Sequence, residues 1–228
     1  GQTLRVARLY SDVPIETLRV ARDSGRISPL HPAQTIDDAA LEAMTNIVAL
    51  AGAEQIQAAI HTGADVVLAG RATDTATIAA LPLARGAHSG AAWHGAKIAE
   101  CGAFCTTRPA SGVVMVTFDE AGFTVRPMGE GVRCTPQSVA AHMLYENSDP
   151  WILYEPGGHL DVTAATYTEA AQDGVRVVGA IWVAAGDYRV KLEGARLVGY
   201  QTMMLAVIRD PRYVEVVEDW ADRLLLHC

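Results

Sequence analysis

Apolar positions in the first ninety residues switch between short runs and helical spacing. Leu4 to Tyr10 reads as a strand. Asp12-Val13-Pro14 then opens a helix, with Asp as cap and Pro in the first turn, that should stop at Ser24-Gly25. Thr35-Ile36-Asp37-Asp38 resembles a capping box with Asp in place of the usual Glu, and predicts a helix through Leu41, Met44 and Val48. Gly52 interrupts the pattern, Ile56 and Ile60 continue it, and Gly63 caps its end. Asp65-Val66-Val67-Leu68-Ala69 is short, β-branched and apolar at successive positions, which predicts a central, buried, mostly parallel strand. Gly70 ends it, and a helix follows from Thr73 to Leu81. Strand, turn and helix joined by short connections are the pattern of an open α/β sheet.

Beyond residue 110 the period changes. Val113 to Phe118 and Phe123 to Arg126 flank Asp119-Glu120-Ala121-Gly122 as a hairpin. Thr135-Pro136 caps a short helix to Tyr145. The runs Leu160 to Tyr167 and Val175 to Val183, parted by Asp173-Gly174, are β-rich, and Leu197 to Ile208 is a further strand. Asp210-Pro211 opens a last helix with Val214, Val217, Ala221, Leu224 and Leu225 on one face. The expected fold is therefore α/β. Residues 1–110 carry an open, mostly parallel sheet, and residues 111–228 form an α+β region with antiparallel strands, packed with the first as one unit. No internal repeat is present.

Half of the 228 residues are apolar and 19% are charged, a globular composition. A net charge of -8, with no Lys/Arg stripe, argues against a nucleic-acid surface. No apolar run approaches the roughly 18 residues that cross a bilayer. Gly1-Gln2-Thr3 has neither the basic nor the apolar region of a signal peptide, so a soluble cytoplasmic protein without membrane contact is expected. With no initiator Met and a strand beginning at Leu4, the chain reads as a fragment or a processed piece. Cys101, Cys105, Cys134 and Cys228 have neither disulfide-framework nor zinc spacing, and no metal site is expected.

Four stretches carry candidate chemistry. Gly70-Arg71-Ala72-Thr73-Asp74-Thr75 follows the apolar strand, where ligands of open α/β sheets sit. A helix N-terminus there offers N–H groups to an anion, and Arg71 adds a planar donor fork. The plainer reading is that Thr73 or Asp74 only caps the helix. No nucleotide-binding glycine fingerprint is present. In Trp93 to Gly102, a helix would put His94, Lys97 and Cys101 on one face, with Glu100 three residues from Lys97. His94 suits proton transfer and Lys97 an anion; equally, Lys97–Glu100 is a surface pair, with His94 satisfied by a backbone carbonyl. Tyr154-Glu155-Pro156-Gly157-Gly158-His159-Leu160-Asp161 allows a close backbone turn flanked by Glu155, His159 and Asp161, or is a structural turn. Lys191-Leu192-Glu193-Gly194-Ala195-Arg196 reads alone as a solvated loop.

Gly63 through Asp74, a strand running into Gly-Arg-x-x-Asp, looks like the segment typical of acyclic terpene utilisation (AtuA-like) proteins. Trp93-His94 through Glu100-Cys101-Gly102, Tyr154 through Val162, Lys191 through Ala195, Gly199-Tyr200 and Ile208 through Pro211 follow in the family's order, over nearly the whole chain. The resemblance implies catabolism of acyclic terpenes or other branched, carboxylated molecules, alongside enzymes of branched acyl-CoA thioesters. It favours Arg71, Asp74, His94, Lys97 and Glu155 as site residues. Family members begin with a further α/β stretch containing a Gly-rich turn that has no counterpart here. This implies that part of the sheet is missing or supplied by another chain.

The leading expectation is a lyase or hydratase acting on a small carboxylate or acyl thioester. Arg71, Asp74, His159 and Lys191 would bind the anionic substrate, His94 or Glu155 would move the proton, and Lys97 would stabilise charge at the carbonyl. Arg71, Asp74, His94 and Lys97 should then converge on one pocket, reached by Glu155 or His159. The alternative is a non-catalytic ligand-binding or scaffold subunit. A hydrolase lacks G-x-S-x-G. The cofactor is left open, and a homo-oligomer or a second chain is the expected partner. From the cysteine spacing, thiol titration of the denatured protein without reductant should count four free thiols; two or fewer, without air oxidation, would contradict it.

Overall fold

The computed structural model describes residues 3–30, 36–110, 112–203, 205 and 207–226. The chain divides into a body over residues 1–196 and a C-terminal unit over residues 197–228. The body begins with β1 (Val6–Leu9), α1 (Ile15–Asp23), α2 (Asp38–Glu42), β2 (Met44–Ala49), α3 (Ala53–His61) and β3 (Val66–Ala69). It continues with α4 (Asp74–Ala84), α5 (Ser89–Ala99), β4 (Val114–Phe118), β5 (Gly122–Pro127) and α6 (Pro136–Ala141). The remaining strands are β6 (Ile152–Glu155), β7 (Gly158–Asp161), β8 (Thr166–Ala170), β9 (Gly174–Val178), β10 (Ile181–Ala184) and β11 (Leu192–Arg196).

The fold is α/β, and the β1–β3 pair is parallel, with Val6 beside Val66 and Leu9 beside Ala69. All other strand pairs are antiparallel, in the orders β11-β2, β10-β7-β6 and β4-β5-β9-β8. The expected central position of residues 65–69 is corrected. β3 pairs with β1 alone, and Val66 and Leu68 lie exposed on one face. Helix α3 packs on β1 and β3, and an apolar run cannot reveal that only one of its faces is covered.

Residues 44–48 are also corrected from helix to strand. Asp37 caps α2 by accepting from the Ala40 N–H at 2.7 Å, and β2 then takes over at Met44 because β11 supplies a ladder from Leu192 to Arg196. That pairing equally turns residues 191–196 from the expected loop into a strand. Asp12 does not cap α1; it bridges to Val48, and Pro14 takes the cap position. Thr35 and Cys228 lie outside the described residues, and Cys101, Cys105 and Cys134 are free thiols. In the C-terminal unit no strand forms among the described residues of 197–208, because its apolar pattern has no neighbouring strand to pair with. The last helix is split into α7 (Pro211–Val214) and α8 (Val217–Leu225). No helix among the described residues is long and apolar enough to cross a membrane.

Two cores meet on α5, whose residues from Gly90 to Ile98 are all buried. Trp93 and Ala96 join α3, α4 and β7 in one core, where Trp93 stacks on Trp182 of β10 at 4.5 Å. Ala91 and Ile98 join β5, β9 and Val139 of α6 in the other. A third, smaller core holds α1 and α2 against β2. The centre of the body therefore depends on a slim helix. A Cβ on Gly90 would stand 2.1 Å from the Ala180 carbonyl oxygen, and one on Gly95 2.5 Å from the Phe118 ring.

The same burial fixes the state of His94. It packs edge-on to Phe123 and Tyr167, with Nε2 3.3 Å from the Tyr167 hydroxyl. Its buried Nδ1 has no hydrogen-bond partner among the described residues. Burial pushes its pKa down to about 3, so the ring is neutral.

Two outcomes follow. In an open helix, Gly→Ala gains about 1 kcal/mol; Gly90→Ala should instead cost about 1–3 kcal/mol in urea melts, because backbone must move. For His94, the unfolded chain takes up a proton near pH 6.5 that the folded chain refuses until about pH 3. The stability it contributes is present above pH 6.5 and is lost as pH falls through that window. Melts of His94→Leu against wild type should diverge below pH 6.5, with the variant losing less.

Candidate functional site

The loop between β3 and α4 is pinned from both sides. The Ser11 side chain accepts from the Arg71 N–H and donates to the Arg71 carbonyl at 3.3 Å. Ala51 donates to the Arg71 carbonyl at 3.0 Å and accepts from the Thr73 N–H at 3.1 Å. Gly70 is required here, since a Cβ would come within 2.3 Å of the Ser11 hydroxyl. Arg71 projects outward, its Nε 3.1 Å from Glu193, whose other oxygen holds Lys191 at 2.9 Å. Those two cations, Lys191 first, keep the Glu193 carboxylate below its ordinary pKa. Beside them opens a cleft of about 270 Å³ at the carboxyl ends of β1 and β3.

Two residues further on, Thr73 caps α4 by accepting from the Ala76 N–H at 3.1 Å. Its hydroxyl proton goes to Glu155 Oε2 at 2.5 Å. Glu155 ends β6, and the Pro156-Gly157 turn, with Gly157 at φ +83°, returns the chain into β7. Gly52 holds this turn: a Cβ there would lie 2.8 Å from Pro156 and 2.5 Å from the Tyr188 hydroxyl. That hydroxyl in turn donates to Glu54 at 2.9 Å. The acceptor met by the cap of α4 is thus a carboxyl of the protein itself.

Around Glu155 the polar groups are enclosed. Lys97, 2% exposed, donates to Glu100 and, at 2.7 Å, to the Tyr145 carbonyl. The other Glu100 oxygen accepts from Thr75 at 2.6 Å. His142 Nε2 meets the Glu100 carbonyl at 2.9 Å, and burial lowers the pKa of that ring. Burial pushes Glu155 up to about 7, against the Thr73 and Thr75 hydroxyls; the charge of Glu100 raises it further and that of Lys97 lowers it. Two neighbouring carboxyls thereby differ in circumstance: Glu100 has both oxygens engaged, and Glu155 can hold or release a proton near neutral pH.

The sequence-predicted residues separate into groups. Lys97 and Glu155 share this cluster. Arg71 and Lys191 share Glu193 outside it. Asp74 lies exposed in the first turn of α4, with Thr73 as the cap. His94 turns toward the β5–β9 core rather than to Lys97. His159 stands opposite Tyr154 across the β6–β7 hairpin, ring to ring at 5.5 Å. Thr75, Glu100 and the Tyr145 carbonyl were not singled out as site groups. The signal for Glu100 was its three-residue spacing from Lys97 on a helix apolar on every side.

No curated protein and no solved structure matches the chain. A family model described as acyclic terpene utilisation family protein AtuA matches residues 1–226. The chain belongs to the acyclic terpene utilisation family, whose role is catabolic.

Proposed function

We propose that this protein is a lyase or hydratase of branched-acid breakdown, acting on a small carboxylate or an acyl thioester, with Glu155 as its proton carrier. The observation that carries this reading is a carboxyl group held between a helix cap and a buried Lys–Glu pair, protonable near neutral pH. A group poised there exchanges protons with little cost in either direction, the condition for general acid–base catalysis. In the ionised form it takes a proton from the carbon beside the substrate's carbonyl. The Lys97 charge, close enough to lower the Glu155 pKa, favours that ionised form and would stabilise negative charge developing next to it. Thr73 keeps the carboxyl aimed by donating to one oxygen, leaving the other for the substrate. Arg71 and Lys191 provide the positive side of the neighbouring cleft for the anionic end.

The scaffold reading has one observation in its favour: Lys97 spends its donors inside the protein. The two readings part on a single variant. Glu155→Gln keeps an oxygen for the Thr73 hydroxyl and cannot move a proton. Turnover of a branched acyl-CoA panel, with genomic neighbours co-expressed, should fall about a hundredfold or more. The wild-type rate should rise with pH through about 7, and the variant should lack that limb. Stability should move the other way. A carboxyl raised from 4.5 to about 7 contributes stability below pH 4.5 that is lost as pH climbs to 7. The variant should therefore melt no lower than wild type at pH 7.5, the gain being on the order of 3 kcal/mol at most. A variant that keeps wild-type turnover refutes the proton-carrier role.

A further inference from the structure

We propose that the cleft at the carboxyl ends of β1 and β3 binds the phosphate-bearing nucleotide end of the substrate's coenzyme. The identity of the ligand rests on the acyl-thioester reading above; the site itself rests on residues that reading does not use for proton transfer. Because β1 and β3 run parallel, their carboxyl ends open on the same side. The chain leaves β1 after Leu9 toward α1, bridging to Val48 of β2 at Asp12, and leaves β3 at Gly70 toward α4. The gap between them measures about 270 Å³, room for a group far larger than a water or a simple ion. Openings at this place in α/β sheets are where ligands dock.

The lining is cationic and incompletely paired. Arg8 lies beside Leu68 in the strand register, exposed, and makes no hydrogen bond or ion pair among the described residues. Arg71 gives only its Nε to Glu193, so both terminal nitrogens stay free. In the lining Arg8 and Arg71 stand against Asp12, and the Glu193 that meets Arg71 is itself paired with Lys191, in a chain whose net charge is -8. Local positive charge on an acidic protein selects an anion. Its type follows from donor geometry. One guanidinium fork occupies both oxygens of a planar carboxylate, whereas a phosphate presents enough oxygens for two forks, one arriving from β1 and one from the loop after β3. Beside the charges Tyr10 is 76% and Leu68 61% exposed, a flat ring and an aliphatic surface on which a base can lie. Gly70 adds no side chain to the floor of the cleft, which the Ser11 hydroxyl occupies.

The test is calorimetric titration with adenosine 3′,5′-bisphosphate, with 3-methylbutanoate as the second probe. Saturable binding of the bisphosphate is expected, weakening as salt is raised. Affinity should fall at least tenfold in the double variant Arg8→Gln/Arg71→Gln, whose melting should match wild type because both side chains are exposed. Glu155→Gln should bind the bisphosphate as wild type does. Failure of the bisphosphate to bind, or equal binding in the double variant, overturns the proposal. Tighter binding of 3-methylbutanoate, lost in the double variant, also overturns it in favour of a carboxylate site. Loss of turnover in Glu155→Gln without any bisphosphate binding would leave the proton-transfer reading standing and remove this one alone.

Discussion

A helix with no exposed face sets the terms for the rest of the body. From Gly90 to Ile98, α5 is covered by α4 on one side and by strands and a 3-10 turn on others. Such a helix has to be thin where backbone approaches, which accounts for Gly90 against Ala180 and Gly95 against Phe118 and Phe123. It must also find an internal answer for every polar group it carries. His94 answers by staying neutral. Lys97 answers with Glu100 and the Tyr145 carbonyl. The cluster around Glu155 is thus tied to the packing of the two cores on either side of it.

The second constraint acts on Glu155 itself. A carboxyl at the end of a strand would normally reach water, yet the Pro156-Gly157 turn is pressed against Gly52 and the Tyr188 hydroxyl. Glycine at 52 leaves room for the Pro156 ring and the Tyr188 hydroxyl, and the positive φ at Gly157 turns the chain beside them. The carboxyl is therefore held at the cap of α4, where Thr73 meets it. Residues 70–73 then serve two surfaces at once, with Arg71 on the open cleft and Thr73 on the enclosed cluster. Ser11 and Ala51 hold this segment by its backbone, so the two surfaces cannot shift independently.

Much of this was legible in the residues, for identifiable reasons. The helix through Trp93, the hairpin around Asp119–Gly122 and the turn at Pro156-Gly157 follow from local spacing and turn chemistry, although that helix ends at Ala99 and Cys101, at φ 47°, leaves the face expected of it. Met44 to Val48 was misread because its apolar spacing fits a helix, while the strand it forms depends on β11, some 145 residues away in the chain. Val66 and Leu68 were read as covered because an apolar run does not say which face has a neighbour. At the site, Lys97, Glu100 and Glu155 were all visible as residue types. Their burial was not, since it arises from α4, α5 and β6 meeting. His94 and Lys97 share a helical face by spacing alone, but one faces β5 and the other the Tyr145 carbonyl.

The Lys97–Glu100 pair bears on whether the cluster is chemical or structural. Desolvating two charges offsets most of what their attraction returns, and apolar side chains of like volume often hold such a position as well or better. Holding α5 in place is therefore a poor account of an ion pair at the centre of the body. Its effect on a neighbour is a better one. Burial raises Glu155 to about 7 against the Thr73 hydroxyl, and within the pair the Glu100 charge raises it further while the Lys97 charge lowers it. Removing Lys97 would leave Glu100 as an unmatched charge beside Glu155 and push the second carboxyl further from ionisation. Lys97 thus bears on how readily a proton leaves Glu155, a property that catalysis uses and that packing does not.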